Sequence, residues 1–407
     1  MLTGHSFPYS KSIWVLTINQ LTTDTLLYPP LPADISTRNK NIRTLILGSG
    51  VNELNVIGDH TSYIQQTIDA CHVVFPKLEN IYFFYTNIYF DNNLLTSSCN
   101  LTITHLPYFL LRSSLTDTSQ FKEWTVGNGK AIFLIGDIRN RIHKFPLLYH
   151  FYKNNQLDKL DYSLTDDHYT PDTFFNDNNI GTVVTILDNC FHLDHDIKSF
   201  KELFYSLKRS FNEDESFTTG PYVGLNRYTH NYPSTWNDAT CNLVVESTFY
   251  GSKTYFEREI LNGQQEFFFS EKIWKPILAG KPFIAISEND LIYSVLEDMG
   301  FRTFLRYTGL REHIDLPVLV NNHIELSKNL YTYINLCYDR TTRFLKNAHI
   351  YENEIREDVN HNKRHWKKLC DRAWVDLYNK CPILRRMTKA QFCELFNHTP
   401  DFSMYKN

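Results

Sequence analysis

A serine followed by acidic and basic residues opens the most informative stretch of the sequence, from Ser270 to Lys275. Ser270 is a favourable N-cap, which places Glu271 and Lys272 in the first turn of a helix. The backbone N–H groups, the positive end of the helix dipole and the Lys272 ammonium then lie together, an arrangement that binds anions. Lys275 lies one turn further along, within reach of the same ligand. A solvated Glu–Lys pair on an ordinary amphipathic helix is the alternative explanation.

The chemistry of such a site is that of a nucleotide with a diphosphate. A glutamate beside the anion site can accept hydrogen bonds from both hydroxyls of a ribose, so diphosphate and ribose together describe a nucleotide-sugar donor. A second basic cluster, Arg139, Arg141 and Lys144, follows the apolar run that ends at Ile135. Cations are unfavourable at the positive end of a helix dipole, which favours a bound anion over a solvated basic helix start.

The elements that must position these residues alternate between strands and helices. Apolar runs predict strands, and apolar residues at spacings of three and four predict helices. The predicted strands are Thr44–Leu47, Ile81–Tyr85, Ala131–Ile135, Thr182–Leu187, Leu243–Val245 and Pro282–Ile286. The predicted helices are 63–70, 142–152, 200–211, 271–279 closed by Gly280, and 291–299 closed by Gly300. The alternation predicts right-handed crossovers and a parallel sheet, and a more basic, mostly helical segment follows it.

Composition excludes several classes of protein. The chain has 407 residues, 42% hydrophobic and 21% charged, which is typical of a globular protein of two or three domains and excludes collagen-like and disordered chains. No apolar run approaches the length of a membrane span. The eight cysteines are scattered without a Cys-x-x-Cys pair, which predicts reduced thiols and a cytoplasmic location. The net charge of -4 argues against charge-driven nucleic-acid binding over a broad surface.

Four pieces of sequence, in order, resemble the donor-binding region of one enzyme family. They are Leu243–Glu246, Ser270–Ile277, Gly280–Ile284 and Gly300–Phe304. Their order and spacing resemble GT-B glycosyltransferases of the α-1,3-fucosyltransferase type and, more closely, glycosyltransferase-like proteins of bacteriophages and giant viruses. The resemblance covers about residues 130–310, with a looser likeness around His361–Trp366.

This resemblance implies a GT-B-like α/β fold, with two Rossmann-like lobes facing a central cleft and a C-terminal helical segment. We therefore expect an acceptor-side lobe over residues 1–125, a nucleotide-sugar-binding lobe over 126–315, and a helical tail over 316–407 that packs back on the lobes. The implied localisation is the cytoplasm, which is the host cytoplasm if the chain is viral.

The resemblance also assigns roles to residues. The implied donor-binding residues are Arg139, Arg141, Lys144, Glu246, Ser270, Glu271, Lys272 and Lys275. Lys144 stands where the family has an arginine, so bidentate contacts to the diphosphate fall to the two arginines. Neither a metal nor a cofactor is implied, and the loop of His192, Asp194 and Asp196 is interpreted as surface. The catalytic base comes from the first lobe, where Asp59 and His60 are our candidates.

The implied activity is transfer of a sugar from a nucleoside-diphosphate donor to an acceptor hydroxyl, on a glycan or another molecule, without a metal and with inversion. Two alternatives stay open: transfer to a modified base in viral DNA, which is less favoured, and a non-catalytic binding protein with this fold. Residues 363–368, with Arg372, Arg385 and Arg386, form the one marked basic patch. It could hold a polyanion such as DNA or a membrane surface, although the outer face of a helix is the favoured explanation.

Overall fold

The structure is a computed structural model that divides into two compact units. It describes residues 3–5, 13–18, 43–49, 65, 68–69, 71–73, 75–85, 95–105, 121–136, 144–164, 234–245, 271–286, 291–310, 323–380, 382–396 and 399–404. The first unit comprises residues 1–116, 257–270 and 367–407. The second comprises residues 117–256 and 271–366. The predicted division at residues 125 and 315 stays a prediction.

The first unit contains a five-stranded sheet in which the strands follow one another in chain order. The strands are β1 (Thr3–His5), β2 (Ile13–Ile18), β3 (Thr44–Ser49), β4 (Asn80–Tyr85) and β5 (Asn100–His105). β1 is antiparallel to β2, and the remaining neighbours are parallel. Leu45, Ile81 and Phe83 are buried, as the apolar runs of β3 and β4 predict. The predicted strands at 44–47 and 81–85 are confirmed, whereas the sequence analysis did not foresee β5.

The second unit contains a four-stranded, entirely parallel sheet in the order β7-β6-β8-β9. Its strands are β6 (Ala131–Gly136), β7 (Leu160–Leu164), β8 (Cys241–Val245) and β9 (Phe283–Ile286). Its helices are α1 (Lys144–Lys153), α2 (Ser234–Asp238), α3 (Glu271–Ala279), α4 (Leu291–Asp298) and α5 (His323–Asn347). The mixed α/β class with parallel sheets is therefore confirmed.

Helices dominate the C-terminal part of the chain, as predicted. They are α6 (Glu352–Lys380), α7 (Pro382–Arg385) and α8 (Lys389–Phe396), and α6 belongs to the second unit up to Trp366 and to the first unit from Lys367. None of the helices in the described ranges is both long and apolar enough to cross a membrane. The predicted strand at 182–187 and helix at 200–211 lie outside the described residues.

The strand β8, at the centre of the second sheet, is buried along its whole length. All five residues of β8 are buried, and α3 packs against both β8 and β9. The outer edge of β9 is closed by the buried Tyr293 of α4. Its hydroxyl accepts a hydrogen bond from the Ala285 N–H at 2.8 Å and donates one to the Ala285 carbonyl at 2.9 Å. A neighbouring strand would need these same backbone groups, so Tyr293 ends the sheet here.

The turn that leads into β6 is fixed by the residues that lead into β8. The Asn128 N–H donates to the Asp238 carbonyl at 2.8 Å, and the Gly129 N–H donates to the Thr240 hydroxyl at 3.0 Å. Gly127 has φ +70°, and a Cβ added there would stand 2.1 Å from the Asp238 oxygen. Glycine at 127 thus serves both the left-handed backbone and the close approach.

Alanine substitutions at the two glycines of this turn should have unequal effects. Gly129 has φ +75° but nothing within 4 Å of its added Cβ, so Gly129→Ala carries only the left-handed strain, about 1 kcal/mol. Gly127→Ala adds a collision with backbone and should cost at least about 3 kcal/mol. Urea unfolding followed by tryptophan fluorescence measures both, and equal losses of stability would contradict this account.

Lys281 is a buried cation whose role is structural. Its side chain is 1% exposed, and Nζ donates to the carbonyl of Asn237 at 2.7 Å and of Ala239 at 3.4 Å, at the C-terminal end of α2. Burial, partly offset by the charge of Asp238, lowers the pKa of Lys281 from 10.5 to about 8. The ammonium therefore ties α2 to the start of β9 and loses its proton more readily than a surface lysine.

The pH dependence of the free energy of unfolding should reflect the titration of Lys281. Between pH 8 and about 10 the unfolded chain keeps the Lys281 proton while the folded chain has released it, so this side chain raises the free energy of unfolding as pH rises. The slope should approach about 1.4 kcal/mol per pH unit. Because Lys281→Met removes the titration, the stability difference between wild type and variant should grow with pH. Parallel pH profiles of the two proteins would disprove the assignment.

Candidate functional site

The strand order of the second sheet reverses between β6 and β8. From β6 the chain passes through α1 to β7 on one side, and from β8 it passes through α3 to β9 on the other. Because such crossovers are right-handed, α1 and α3 lie on opposite faces of the sheet. The chain therefore continues to opposite faces of the sheet after β6 and after β8. Open α/β sheets bind ligands at the carboxyl edge beside such a reversal of strand order.

The helix of the Ser-Glu-Lys stretch begins at this edge. α3 spans the predicted residues, from Glu271 to Ala279, and continues through Pro276. Ile273, Trp274 and Ile277 form its buried stripe, as the spacing predicts. The helix thus directs its N-terminal turn, with Glu271 and Lys272, toward the carboxyl ends of β8 and β9.

Lys275 is half-buried one turn further along the helix. Ser270 and Glu246 lie outside the described residues, and for Glu271 and Lys272 the structure describes the backbone alone. The first turn of α3 is therefore fixed in position, while the contacts of its side chains stay predictions.

Lys144 is the first residue of α1, at the same edge of the sheet. Its side chain is 1% exposed, so the ammonium is enclosed by the protein. Arg139 and Arg141 lie outside the described residues, although both fall in the segment that joins β6 to α1. The sequence thus brings one predicted basic cluster to each side of the strand-order reversal.

The C-terminal ends of α3 and α4 are held by α6. Gly280, with φ +65°, closes α3, and a Cβ added there would stand 2.8 Å from Cδ of Lys363. Gly300, with φ +90°, closes α4, and a Cβ there would stand 2.8 Å from the His365 ring. His365 contacts the Met299 carbonyl through Nε2 at 2.6 Å. Both glycines adopt a positive φ, and Gly300 also lies against the His365 ring, whereas the flexible end of the Lys363 side chain could move away from a Cβ at position 280.

Phe301 connects this contact to α3. Its ring centroid lies 4.9 Å from that of His365 and 5.7 Å from that of Trp274, which is buried in α3. The residues from Gly300 to Phe304, one of the four pieces of sequence named above, thus pack behind α3.

A buried carboxylate fixes the same segment. Asp358 of α6 accepts hydrogen bonds from Arg302 at 2.9 Å, from Tyr307 at 2.7 Å and from Arg306, and its side chain is 1% exposed. Asn362 adds two hydrogen bonds of 2.8 Å to the backbone of Arg302. Burial, followed by the hydrogen bond to Asp358, raises the pKa of the Tyr307 phenol well above its usual value, so it stays a donor.

The sequence analysis missed these supporting residues. Asp358 lies more than 50 residues from its partners along the chain and has no local pattern, so only the fold brings the four side chains together. Lys281 lies within Gly280–Ile284, one of the four pieces of sequence named above. A lysine next to a buried strand is rare, and this rarity is the signal that could have identified it. Asp59 and His60, the candidate bases, lie outside the described residues. Within the described ranges, no group of three His, Cys, Asp or Glu side chains is placed to hold a metal ion.

Comparison with known proteins adds no family to this picture. No protein-family model, curated protein or solved structure matches the chain significantly. The interpretation of the site therefore rests on the strand-order reversal and on the residues that follow β6 and β8.

Proposed function

We propose that the chain is a glycosyltransferase that transfers a sugar from a nucleoside-diphosphate donor to an acceptor hydroxyl. The proposed architecture is GT-B-like, with the second unit binding the donor, the first unit supplying the acceptor side and a cleft between two Rossmann-like lobes. We further propose a metal-independent, inverting reaction.

One observation carries the proposal: two basic segments follow the two adjacent strands at which the strand order reverses. Arg139, Arg141 and Lys144 follow β6, and Lys272 and Lys275 follow β8. A diphosphate bound at this edge can meet the positive end of α3 together with cations from both sides. This concentration of positive charge favours an anionic ligand over a neutral one.

The proposed roles follow from the chemistry of glycosyl transfer. The departing diphosphate gains negative charge as the anomeric C–O bond breaks, and Lys272, Lys275, Arg139 and Arg141 stabilise that charge. The acceptor hydroxyl loses a proton to a carboxylate or an imidazole, for which Asp59 and His60 are the candidates.

Glu246 and Glu271 complete the proposed donor site. Their carboxylates would accept hydrogen bonds from the ribose hydroxyls of the donor. Glu246 directly follows β8, and Glu271 opens α3.

Two other functions use the same donor fold. A sugar transferase that modifies bases in viral DNA would differ in its acceptor alone, and a binding protein would keep the donor site without a base. The exposed cationic groups of α6 and α7 are the feature that favours a polyanionic acceptor.

Replacing Lys272 should remove donor binding. We expect one of UDP, GDP, CDP and dTDP to raise the melting temperature of the wild-type protein, and Lys272→Ala to weaken its binding at least about tenfold, because a charge-assisted hydrogen bond is lost. Isothermal titration calorimetry measures the affinity. Lys346→Ala, at an exposed position on α5, is the matched control and should bind like the wild type. If none of the four binds at millimolar concentration, the donor site does not exist.

Turnover should depend on the first unit. We expect Asp59→Asn or His60→Ala to lower the rate of sugar transfer, or of donor hydrolysis without an acceptor, by about 100-fold or more while the donor affinity stays unchanged. Product release measured by chromatography, beside calorimetry on the same variants, separates the two effects. Full turnover in both variants would remove these residues as bases, and donor binding without any turnover in the wild type would identify a binding protein.

A further inference from the structure

We propose that the C-terminal part of the first unit binds the phosphate backbone of double-stranded nucleic acid, without regard to base sequence. The binding surface, called the cationic surface below, consists of six exposed side chains: Lys367, Lys368, Arg372, Arg385, Arg386 and Lys389. This proposal goes beyond the proposed transferase activity and does not depend on it.

The fold gathers the cationic surface from three helices. The Tyr378 hydroxyl of α6 donates to the Met387 carbonyl at 2.7 Å, so α7 and the turn after it fold back onto α6. The Phe392 ring of α8 lies 6.3 Å from that of Trp374 and 5.1 Å from that of Tyr378, which holds α8 against the same helix. Arg385 and Arg386 precede Met387 and therefore lie near Tyr378, about 9 Å along α6 from Arg372.

Four of the six side chains of the cationic surface have no ion-pair partner among the described residues. In the ranges that the structure describes, Lys368, Arg372, Arg385 and Arg386 take part in no ion pair and no side-chain hydrogen bond. Residues 363–389 contain nine Lys and Arg against two Asp, although the whole chain has a net charge of -4. One of those two, the buried Asp371, pairs with Lys367 at 2.7 Å. The folded chain therefore concentrates repelling charges that a bound polyanion would neutralise.

The form of the cationic surface fits a nucleic acid better than a membrane. A helix that binds a lipid surface inserts an apolar face, but here the apolar residues Trp374, Val375 and Leu377 are buried. The large apolar side chains that the structure describes as exposed all precede residue 352. Lys368 and Arg372 lie one turn apart, about 6 Å along the axis, so they form a line of charge suited to the repeating phosphates of a duplex.

Salt-dependent binding tests the proposal. A fluorescein-labelled 20-bp DNA duplex is titrated with the full chain at 50 to 200 mM NaCl and followed by anisotropy. Four unpaired cations predict a slope of log K against log salt near about -3.6, so the Kd should rise about 150-fold over this range. Arg385→Glu with Arg386→Glu should weaken binding more than about tenfold and flatten the slope by about 2.

Matched variants make the result specific. Lys368→Glu with Arg372→Glu should reproduce the loss on a second part of the cationic surface, and Arg343→Glu with Lys346→Glu, both exposed on α5, should leave the affinity within about twofold of wild type. Circular dichroism checks that each variant is folded. The proposal is overturned if the wild type fails to bind the duplex at micromolar concentration in 50 mM NaCl, or if all three double variants lose affinity equally. It is also overturned if the two surface variants lose binding only to phosphatidylserine-containing vesicles.

Discussion

Two parallel strands pair at the centre of the second unit, and the register of Ala131 with Cys241 and of Phe133 with Leu243 brings apolar side chains together on one face of the sheet. Everything else in the unit is arranged around that pairing. After β6 the chain continues to a strand on one side, and after β8 to a strand on the other. The amino ends and the carboxyl ends of these two strands have different surroundings. The amino ends are filled by protein. The Trp124 indole donates to the Thr240 carbonyl at 2.9 Å, and the Lys281 ammonium donates to the Asn237 carbonyl at the C-terminal end of α2. At Gly127 the backbone of Asp238 approaches so closely that a side chain would not fit. The carboxyl ends are followed in the sequence by charged segments, and this is the edge at which we propose the donor site.

A helix N-terminus can serve as an anion site when the position of the helix is fixed. The position of α3 is restrained by contacts at its C-terminal end. α6 contacts the closing glycines of α3 and α4, and Phe301 transmits that contact to Trp274. The segment that follows Phe301 is held by Asp358, whose burial would be costly if Arg302 and Arg306 were not paired with it. Because both guanidinium groups remain nearly half exposed, the network contributes mainly by fixing position, and its stabilisation is reduced by solvent screening.

The sequence predicts those elements whose local pattern agrees with their surroundings. β8 and α3 were predicted because Leu243–Val245 is an unbroken apolar run, and because Ser270, the apolar stripe and Gly280 agree on where the helix lies. β5 and β7 were missed because Asn100–His105 and Leu160–Leu164 mix polar and apolar residues, so neither forms an apolar run. Of the candidate site, the backbone position of α3 could be predicted. The enclosure of Lys144 and the contacts of Asp358 could not, since both depend on residues distant in sequence.

Net charge is a poor guide to what such a chain binds. The value of -4 averages a segment with nine basic and two acidic residues over a chain whose remainder is correspondingly acidic. A phosphate at the protein surface responds to charges within about a Debye length, roughly 8–10 Å, so distant acidic residues are screened from it. Local arrangement therefore decides the ligand. At the edge of the second sheet, positive charge accompanies a helix N-terminus, and the ligand that we propose there is the compact diphosphate of a nucleotide. On α6 and α7 the positive charge is spread over an exposed surface, and the ligand that we propose there carries a regular series of phosphates.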